Sequence, residues 1–322
     1  MKKYRRMEYE DRCQIHALLK AGRTQAEIGV ALGFSQGALS RELARNTGRR
    51  GYRFKQAQGK TWTRQEKARG KPRKLTARLR RDIARKMREE RWSPEQISFW
   101  LRDERGISIS HEWIYRMVWN DKRAGGDLWR SLRRRGKKYN RRGAQNAGRG
   151  VIPDRIDISE RPAVVDGKSR LGDWEGDTIV GMRHRGALLT HVERKSLFTT
   201  ISKLNRATAK ATHSATVRRL KPLSSNVHTI TYDNGKEFAA HKKTAQTLKA
   251  SVYFATPYHA WERGVNENTN GLIRDFFPKG TDFSTIHHTT VAKVERLLNR
   301  RPRKSLGFKT PNEVFEALSS RR

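Results

Sequence analysis

The sequence has one cysteine, Cys13, in 322 residues. That excludes an internal disulfide framework and a cysteine zinc site, and it fits a reducing compartment. No apolar run reaches the ~18 residues of a membrane-spanning helix. The start, MKKYRRMEYEDR, is charged but has no apolar h-region, so neither a secretory signal nor a membrane role is expected, and the location is read as cytoplasmic. Acids are scarce, 32 Asp and Glu against 71 Lys and Arg, for a formal net charge of +39. That excess is far beyond what solubility needs and implies a polyanionic partner, with nucleic acid first. A membrane surface comes second, but no long amphipathic segment with one basic face is evident. The apolar fraction of 35% supports small domains with basic surfaces, and the length allows two or three of them.

What is present falls into zones. Residues 1–60 are expected to form an N-terminal helix-turn-helix domain. Tyr9, Cys13, Ala17 and Leu18 recur at helical spacing, and Gly22 ends that helix. Thr24 to Glu27 is a capping box opening a second helix, Gly33 and Phe34 make a turn, and Ser35 caps a third helix carrying Leu39 and Leu43. Helix, tight turn, helix at these lengths is a DNA-reading pattern. With Leu39 and Leu43 inward, Gln36, Ser40, Arg41 and Arg45 lie on the opposite face and are the candidate base-contacting side chains. A plain three-helix bundle with a solvated basic face is the alternative.

Residues 75–132 predict a second helical, helix-turn-helix-like domain. Ser93-Pro-Glu-Gln96 is a capping box with Pro at the first helical position, Ile97, Trp100 and Leu101 point inward, and so do Ile114, Met117 and Val118 of the next helix. Its tryptophans are read as core. Residues 133–170 are read as a flexible basic linker, on the strength of 133-RRRGKKYNRRGAQNAGRG-150. From 171 to 322 the pattern becomes strand, strand, strand, helix, strand, helix, strand, helix, so the natural packing is α/β, a mixed sheet flanked by helices. The pieces are 174–180, 186–193, 196–204, the helix 207–220, 227–232, the helix 241–249, 252–255 and a last helix after Pro257. A basic stretch, Arg300 to Lys304, and a final helix at 311–318 follow.

Three acids stand out on this layout. Asp177 is inside the first strand, Asp233 ends the fourth, and Glu267 is on the last helix of the sheet unit, in 258-YHAWERGVNENTNG-271. Gathered together they would repel and hold protons unless a divalent cation joined them. Two Mg²⁺ ions on such a set can clamp a phosphodiester for in-line displacement. Arg263, Asn270 and Arg274 share the helical face of Glu267 at i−4, i+3 and i+7, and are read as holding its carboxylate or gripping DNA phosphates. The alternative is that Glu267 is a surface acid paired with Arg263. Glu175, on the same strand face as Asp177, is the main rival as a ligand, and Glu237 is read as a local cap.

These residues carry a likeness. The segments 172-GDWEGDTI-179, 233-DNGKEF-238, 263-RGVNENTNG-271 with 276-FFPKG-280, and the helix-turn-helix block Ser35 to Asn46 resemble the IS-thirty family of bacterial insertion-sequence transposases. That family belongs to the DDE transposase and integrase group with a ribonuclease-H-like core. The resemblance implies Asp177, Asp233 and Glu267 as catalytic and metal-binding residues, with Mg²⁺ as cofactor (two ions, Mn²⁺ as a substitute). It implies binding of terminal inverted repeats, strand cleavage and 3′-hydroxyl transfer into target DNA. The partners would be double-stranded DNA and further copies of the chain, as a homodimer or larger synaptic assembly near the bacterial nucleoid. A DNA-binding regulator without chemistry, or a nuclease that cuts without joining, are the rival functions.

Overall fold

The computed structural model describes residues 5–69, 75–133, 152–256 and 260–320, and its backbone falls into two compact units, Met1–Lys74 and Leu75–Arg322. The first unit holds α1 (Tyr9–Lys20), α2 (Gln25–Leu32), α3 (Gln36–Asn46) and α4 (Phe54–Arg69). The expected caps are in place. Thr24 Oγ1 accepts from Glu27 N while Thr24 N donates to the Glu27 carboxylate, Gly33 takes the left-handed conformation at φ 70°, and Ser35 Oγ accepts from Ala38 N. Ile15, Ile28, Leu39, Tyr52 and Ala57 form the core.

Two features of this unit depart from the sequence reading. The buried side of α1 is Asp11, Arg12 and Ile15, whereas Tyr9 is exposed. The cause is an ion pair: Arg12 Nε and Nη2 donate to the two Glu42 oxygens at 2.8 and 3.2 Å, and Tyr52 Oη donates to Glu42 at 3.1 Å. That network turns α1 so that a charged residue lies beneath α3. Helix α4 has no apolar stripe to announce it. It is seated through Ala57 in the core and by the Arg64 side chain donating to Asn46 Oδ1.

The second unit begins with α5 (Ala77–Glu89), α6 (Pro94–Arg105) and α7 (His111–Arg123). The Ser93–Gln96 capping box forms as expected, and Leu79, Ile83, Met87, Ile97, Leu101, Ile114 and Val118 are buried. Trp92 and Trp100 are core, with Lys86 Nζ 4.0 and 4.8 Å from their ring centroids, but Trp113 and Trp119 on α7 are exposed, against the reading of all these tryptophans as core. This bundle is tied to the chain's C-terminal part: Gln96 Nε2 donates to the Pro302 carbonyl at 2.6 Å, Lys304 pairs with Glu95, and Phe99 stacks on Phe308 at 4.3 Å.

Residues 134–151 of the expected linker lie outside the described residues. Residues 152–170, counted from the sequence as flexible linker, are instead packed against the sheet. Ile152 and Val165 are buried, Asp157 bridges Phe254, and α8 (Ala163–Asp166) follows. Arg161 is buried as well, donating to Thr231 Oγ1 at 3.0 Å and pairing with Asp166. Apolar anchors at Ile152 and Val165 and the buried Arg161 outweigh the basic composition.

The sheet is β1 (Asp173–Val180), β2 (Ala187–Glu193), β3 (Thr199–Leu204), β4 (Thr229–Tyr232) and β5 (Ser251–Phe254), in the order β3-β2-β1-β4-β5. β1, β2 and β3 are antiparallel neighbours, while β4 and β5 run parallel to β1. This is the ribonuclease-H-like mixed sheet expected. Strand alternation sorts its two faces. Trp174, Ile230, Val252 and Phe254 pack with α9 (Ala209–Leu220) and α10 (His241–Leu248), and Ile179, Leu188 and Ile201 pack with α11 (Gly264–Phe276) and α12 (His288–Asn299). Phe315 of α13 (Pro311–Ser319) stacks on Phe198 beside Trp174. No helix among the described residues is long and apolar enough to cross a membrane.

Candidate active site

The parallel pairing of β1 with β4 sets the site. Asp173 lies beside Thr229, Trp174 beside Ile230 and Glu175 beside Thr231, a constant offset of 56 residues (229 − 173). Carried two residues further, the same offset puts Asp177 next to Asp233, just past the end of β4. The sequence could place each acid on a strand but could not supply this register.

Alternation directs Asp173, Glu175 and Asp177 to the face covered by α11. Glu175 is fully buried. Its Oε1 accepts from Arg194 Nη1 at 2.7 Å and its Oε2 accepts from Asn266 N at 2.8 Å. Burial pushes its carboxyl above the usual range, and the Arg194 charge opposes that. Both oxygens are committed inside the protein, so Glu175, the rival ligand, serves as a counter-ion and as the cap of α11. Asp173 is likewise held by Arg170, at 2.9 and 3.0 Å.

Asp177 is the half-buried acid of the row. Oδ1 accepts from Thr178 N at 2.8 Å and Oδ2 from Asn270 Nδ2 at 2.9 Å. Burial raises its pKa to about 6, with the charges of Asp233 and Glu237 adding to the rise and Arg263 opposing it. Asp233 Oδ1 accepts from Gly235 N at 3.0 Å. A side chain on Gly235 would meet Glu237 Oε2 at 2.6 Å and Asp233 Oδ1 at 2.9 Å, so glycine lets those two carboxylates close over the turn. Gly176 has a similar use, since a Cβ there would fall 2.2 Å from the Tyr232 ring that packs against β1.

Arg263 joins the two aspartates. Its Nη1 is 3.8 Å from Asp177 Oδ2, its Nη2 is 3.8 Å from Asp233 Oδ2, and Nη1 also donates to the Gly176 carbonyl at 3.3 Å. The guanidinium therefore reaches inward to both aspartates. Asn270 likewise gives its amide to Asp177. Asn266 is buried, and Thr190 Oγ1 lies 3.1 Å from the side-chain oxygens of both Asn266 and Asn270, donating to one at a time. The asparagines at i and i+4 thus engage polar groups beneath α11. Arg274 is half-buried and donates to the Val180 carbonyl at 3.1 Å.

Glu267 is exposed in the first turn of α11, on the same helix as Arg263's neighbours and Asn270. Among the described residues no group of three His, Cys, Asp or Glu side chains is disposed to hold a metal ion. The structure therefore brings together Asp177 and Asp233 of the three expected acids and leaves Glu267 outside that pair. What is present suits a divalent cation in kind: oxygen donors from two acids, whose mutual repulsion is relieved here by a guanidinium standing where a cation's charge is needed. Sequence reasoning missed Glu237, which accepts from Thr178 Oγ1 at 2.6 Å and adds its charge to the site. It also missed Arg155, which donates to Asn234 beside Asp233. The spacing of Glu237 four residues after Asp233 was the available signal. Tyr258, His259 and the side chain of Trp261 lie outside the described residues. Gln36, Ser40, Arg41 and Arg45 are all exposed on α3 of the first unit.

Comparison with known proteins identifies the chain's relatives. A helix-turn-helix domain family matches residues 3–46 and a homeodomain-like domain family matches residues 38–118. The transposase for insertion sequence element IS4351 of Bacteroides fragilis is 44% identical over 96% of this chain and 95% of its own length. The transposase InsI for insertion sequence element IS30A of Escherichia coli is 36% identical over 95% of this chain and 82% of its own. The transposase for insertion sequence element IS1086 of Cupriavidus metallidurans is 33% identical over 97% and 95%. Among solved structures, the catalytic core domain of BIV integrase covers 46% of this chain and 95% of its own at 18% identity and a TM-score of 0.35, too distant to add to the sheet order itself. Relatives of this identity and coverage settle the kinship: the chain belongs to the IS30 family of insertion-sequence transposases.

Proposed function

We propose that this chain binds the terminal inverted repeats of its insertion element and performs strand cleavage and 3′-hydroxyl strand transfer at Asp177, Asp233 and Glu267. The observation that carries the reading is the pairing of Asp177 with Asp233 by the β1–β4 register, in a chain of net charge +39. Gln36, Ser40, Arg41 and Arg45 on α3 read base edges in the major groove, and the basic surface holds backbone phosphates. Asn270 and the Thr178 amide fix the Asp177 carboxylate, and the Gly235 amide fixes that of Asp233.

Magnesium, or manganese in its place, would be held by these acids and would supply charge stabilisation at the phosphodiester oxygens. For Glu267 to join the two aspartates its side chain turns inward along the helix face it shares with Arg263 and Asn270. Arg263 then releases the aspartates and becomes available to a DNA phosphate, as does Arg274 from the end of the same helix. Two element ends are handled in one event, so the active form is a homodimer or a larger symmetric assembly on double-stranded DNA.

The test uses purified protein with element-end duplexes and Mg²⁺ or Mn²⁺. Nicked and joined products are expected from the wild type. Asp233→Asn is expected to bind the ends with wild-type affinity and to yield no product. A wild-type sample that binds the ends but neither nicks nor joins sinks the reading, and full activity in the variant removes Asp233 from it. Nicking without joining identifies a nuclease instead.

A further inference from the structure

The motif Arg300 to Lys304 has no part in the chemistry above, yet two of its side chains turn inward. Arg301 is 4% exposed and Arg303 8%. A buried guanidinium is normally matched by a carboxylate, because an unpaired charge shielded from water is strongly disfavoured. Among the described residues their hydrogen-bond acceptors are neutral. Arg301 Nε donates to Gln96 Oε1 at 3.0 Å and Arg303 Nη2 donates to the Leu298 carbonyl at 3.2 Å, while Arg301 Nη1 and Arg303 Nε find no hydrogen-bond partner.

A third guanidinium stands nearby. Arg133 donates to Asn268 Oδ1 at 3.0 Å and lies 3.3 Å from the position a Cβ would take on Gly271. Burial pushes Arg303 down to about 9, and the charges of Arg301 and Arg133 add to that. An arginine nevertheless keeps its proton at neutral pH, so the positive charge stays. The positively polarised N-terminus of α6, where Gln96 is the third residue, adds to the excess.

Among the described residues no acid pairs directly with either buried guanidinium. Glu95, in the first turn of α6, is taken by Lys304 at 2.6 Å. Asp275 acts on Arg301 through its charge, but neither Arg301 nor Arg303 forms an ion pair among the described residues. The segments outside the described residues contain neither Asp nor Glu. Asp275 alone set against three guanidiniums leaves the balance positive, which favours an anion from outside the chain.

We infer that Arg133, Arg301 and Arg303 form a binding site for a phosphate of the DNA backbone, seated between the N-terminus of α6, the Asn268–Gly271 side of α11 and the 301–303 segment. Guanidinium groups present several N–H donors in a fixed plane, which suits phosphate oxygens. Asn268 is next to Glu267 in the sequence of α11, which keeps a backbone held here close to the proposed cleavage site. Its spacing from the scissile bond is then set by protein already docked through Gln96 and Pro302. The identity of the anion rests on the DNA reading above; the site itself does not depend on catalysis.

The experiment measures affinity of the full chain, free of divalent ions, for a duplex of scrambled sequence over about 50–200 mM salt. Circular dichroism confirms that each variant is folded. Arg133→Gln and Arg303→Gln are each expected to weaken binding several-fold at low salt and to flatten the plot of log affinity against log salt by about 0.9, the worth of one phosphate. Inorganic phosphate is expected to raise the wild-type melting temperature above a chloride control of equal ionic strength, and not that of Arg303→Gln. Wild-type slopes in the folded variants overturn the site. A phosphate effect on melting without a change of slope assigns it to a small anion and overturns the DNA assignment. If Arg303→Gln fails to fold, Arg133→Gln, an exposed position, decides alone. If the variants show the flattened slope but the wild type never cleaves DNA, the catalytic reading is refuted and this site stands.

Discussion

Glu175→Gln separates a structural acid from a catalytic one. The glutamate is fully buried, and so is its partner: the two side chains in the Glu175–Arg194 pair are 1% and 7% exposed. One oxygen answers Arg194 and the other caps α11 through Asn266 N. Glutamine has nearly the same shape but offers one acceptor oxygen and no charge. It can keep the helix cap or the arginine, not both. Removing one partner of a buried ion pair costs about 3–5 kcal/mol. Three features lower that here: one hydrogen bond survives, Arg194 retains Asp166 at 3.8 Å, and glutamine escapes the desolvation that raises the Glu175 pKa. A loss of about 2–3 kcal/mol remains. For a unit of this size each kcal/mol moves the melting temperature by about 2–4 °C, so a fall of about 5–10 °C is expected. Calorimetry or circular dichroism of the whole chain in EDTA reads it, with the transition of the first unit as an internal control. Pairing Glu175→Leu with Arg194→Met is expected to recover most of the loss, since a well-packed apolar pair can replace a buried salt bridge. If Glu175→Gln melts at or above the wild type, the carboxylate is not holding α11, and Glu175 returns as a candidate metal ligand.

Other expectations follow from the same geometry. Asp177 has a pKa raised from 3.8 to about 6, so the folded state binds the extra proton between those values. Stability is then full below about pH 4 and falls as pH rises to about 6, by about 3 kcal/mol at most. Accordingly Asp177→Asn should be more stable than the wild type in EDTA above pH 6, by about 1–3 kcal/mol in urea unfolding, and equal stability of the two at pH 7 would show that the carboxylate carries no such burden. Glu42→Gln in the first unit leaves Arg12 buried without its charge partner; about 3 kcal/mol of that unit's stability should go, and DNA binding should weaken at 37 °C more than at 10 °C. Arg41→Ala should weaken binding to the specific ends more than to scrambled DNA, by about 1–3 kcal/mol in the ratio, whereas equal losses would confine Arg41 to phosphate contact.

Much of the architecture was written locally. The hydroxyls of Thr24, Ser35 and Ser93 marked helix starts because a cap needs its side chain within three residues of the amide it serves. The succession of strands along the chain and the alternation Asp173, Glu175, Asp177 were legible for a similar reason: period-two patterning reports a strand from its own residues. Helix α4 was not legible, because Ala57 among basic and amide residues makes no stripe.

The site was legible as residue types and illegible as pairings. That Asp177 meets Asp233 follows from the β1–β4 register, which no local pattern encodes. That Arg263 faces the aspartates, that Glu175 belongs to Arg194, and that Arg301 and Arg303 lie buried without an acid were all decided by packing. The reason is physical. Helix and strand propensity act over a few residues and can be read from them, but a charge's energy depends on what stands within a few ångströms of it and on how much water remains. Only the folded chain brings residues 19, 56 or 205 positions apart to that distance.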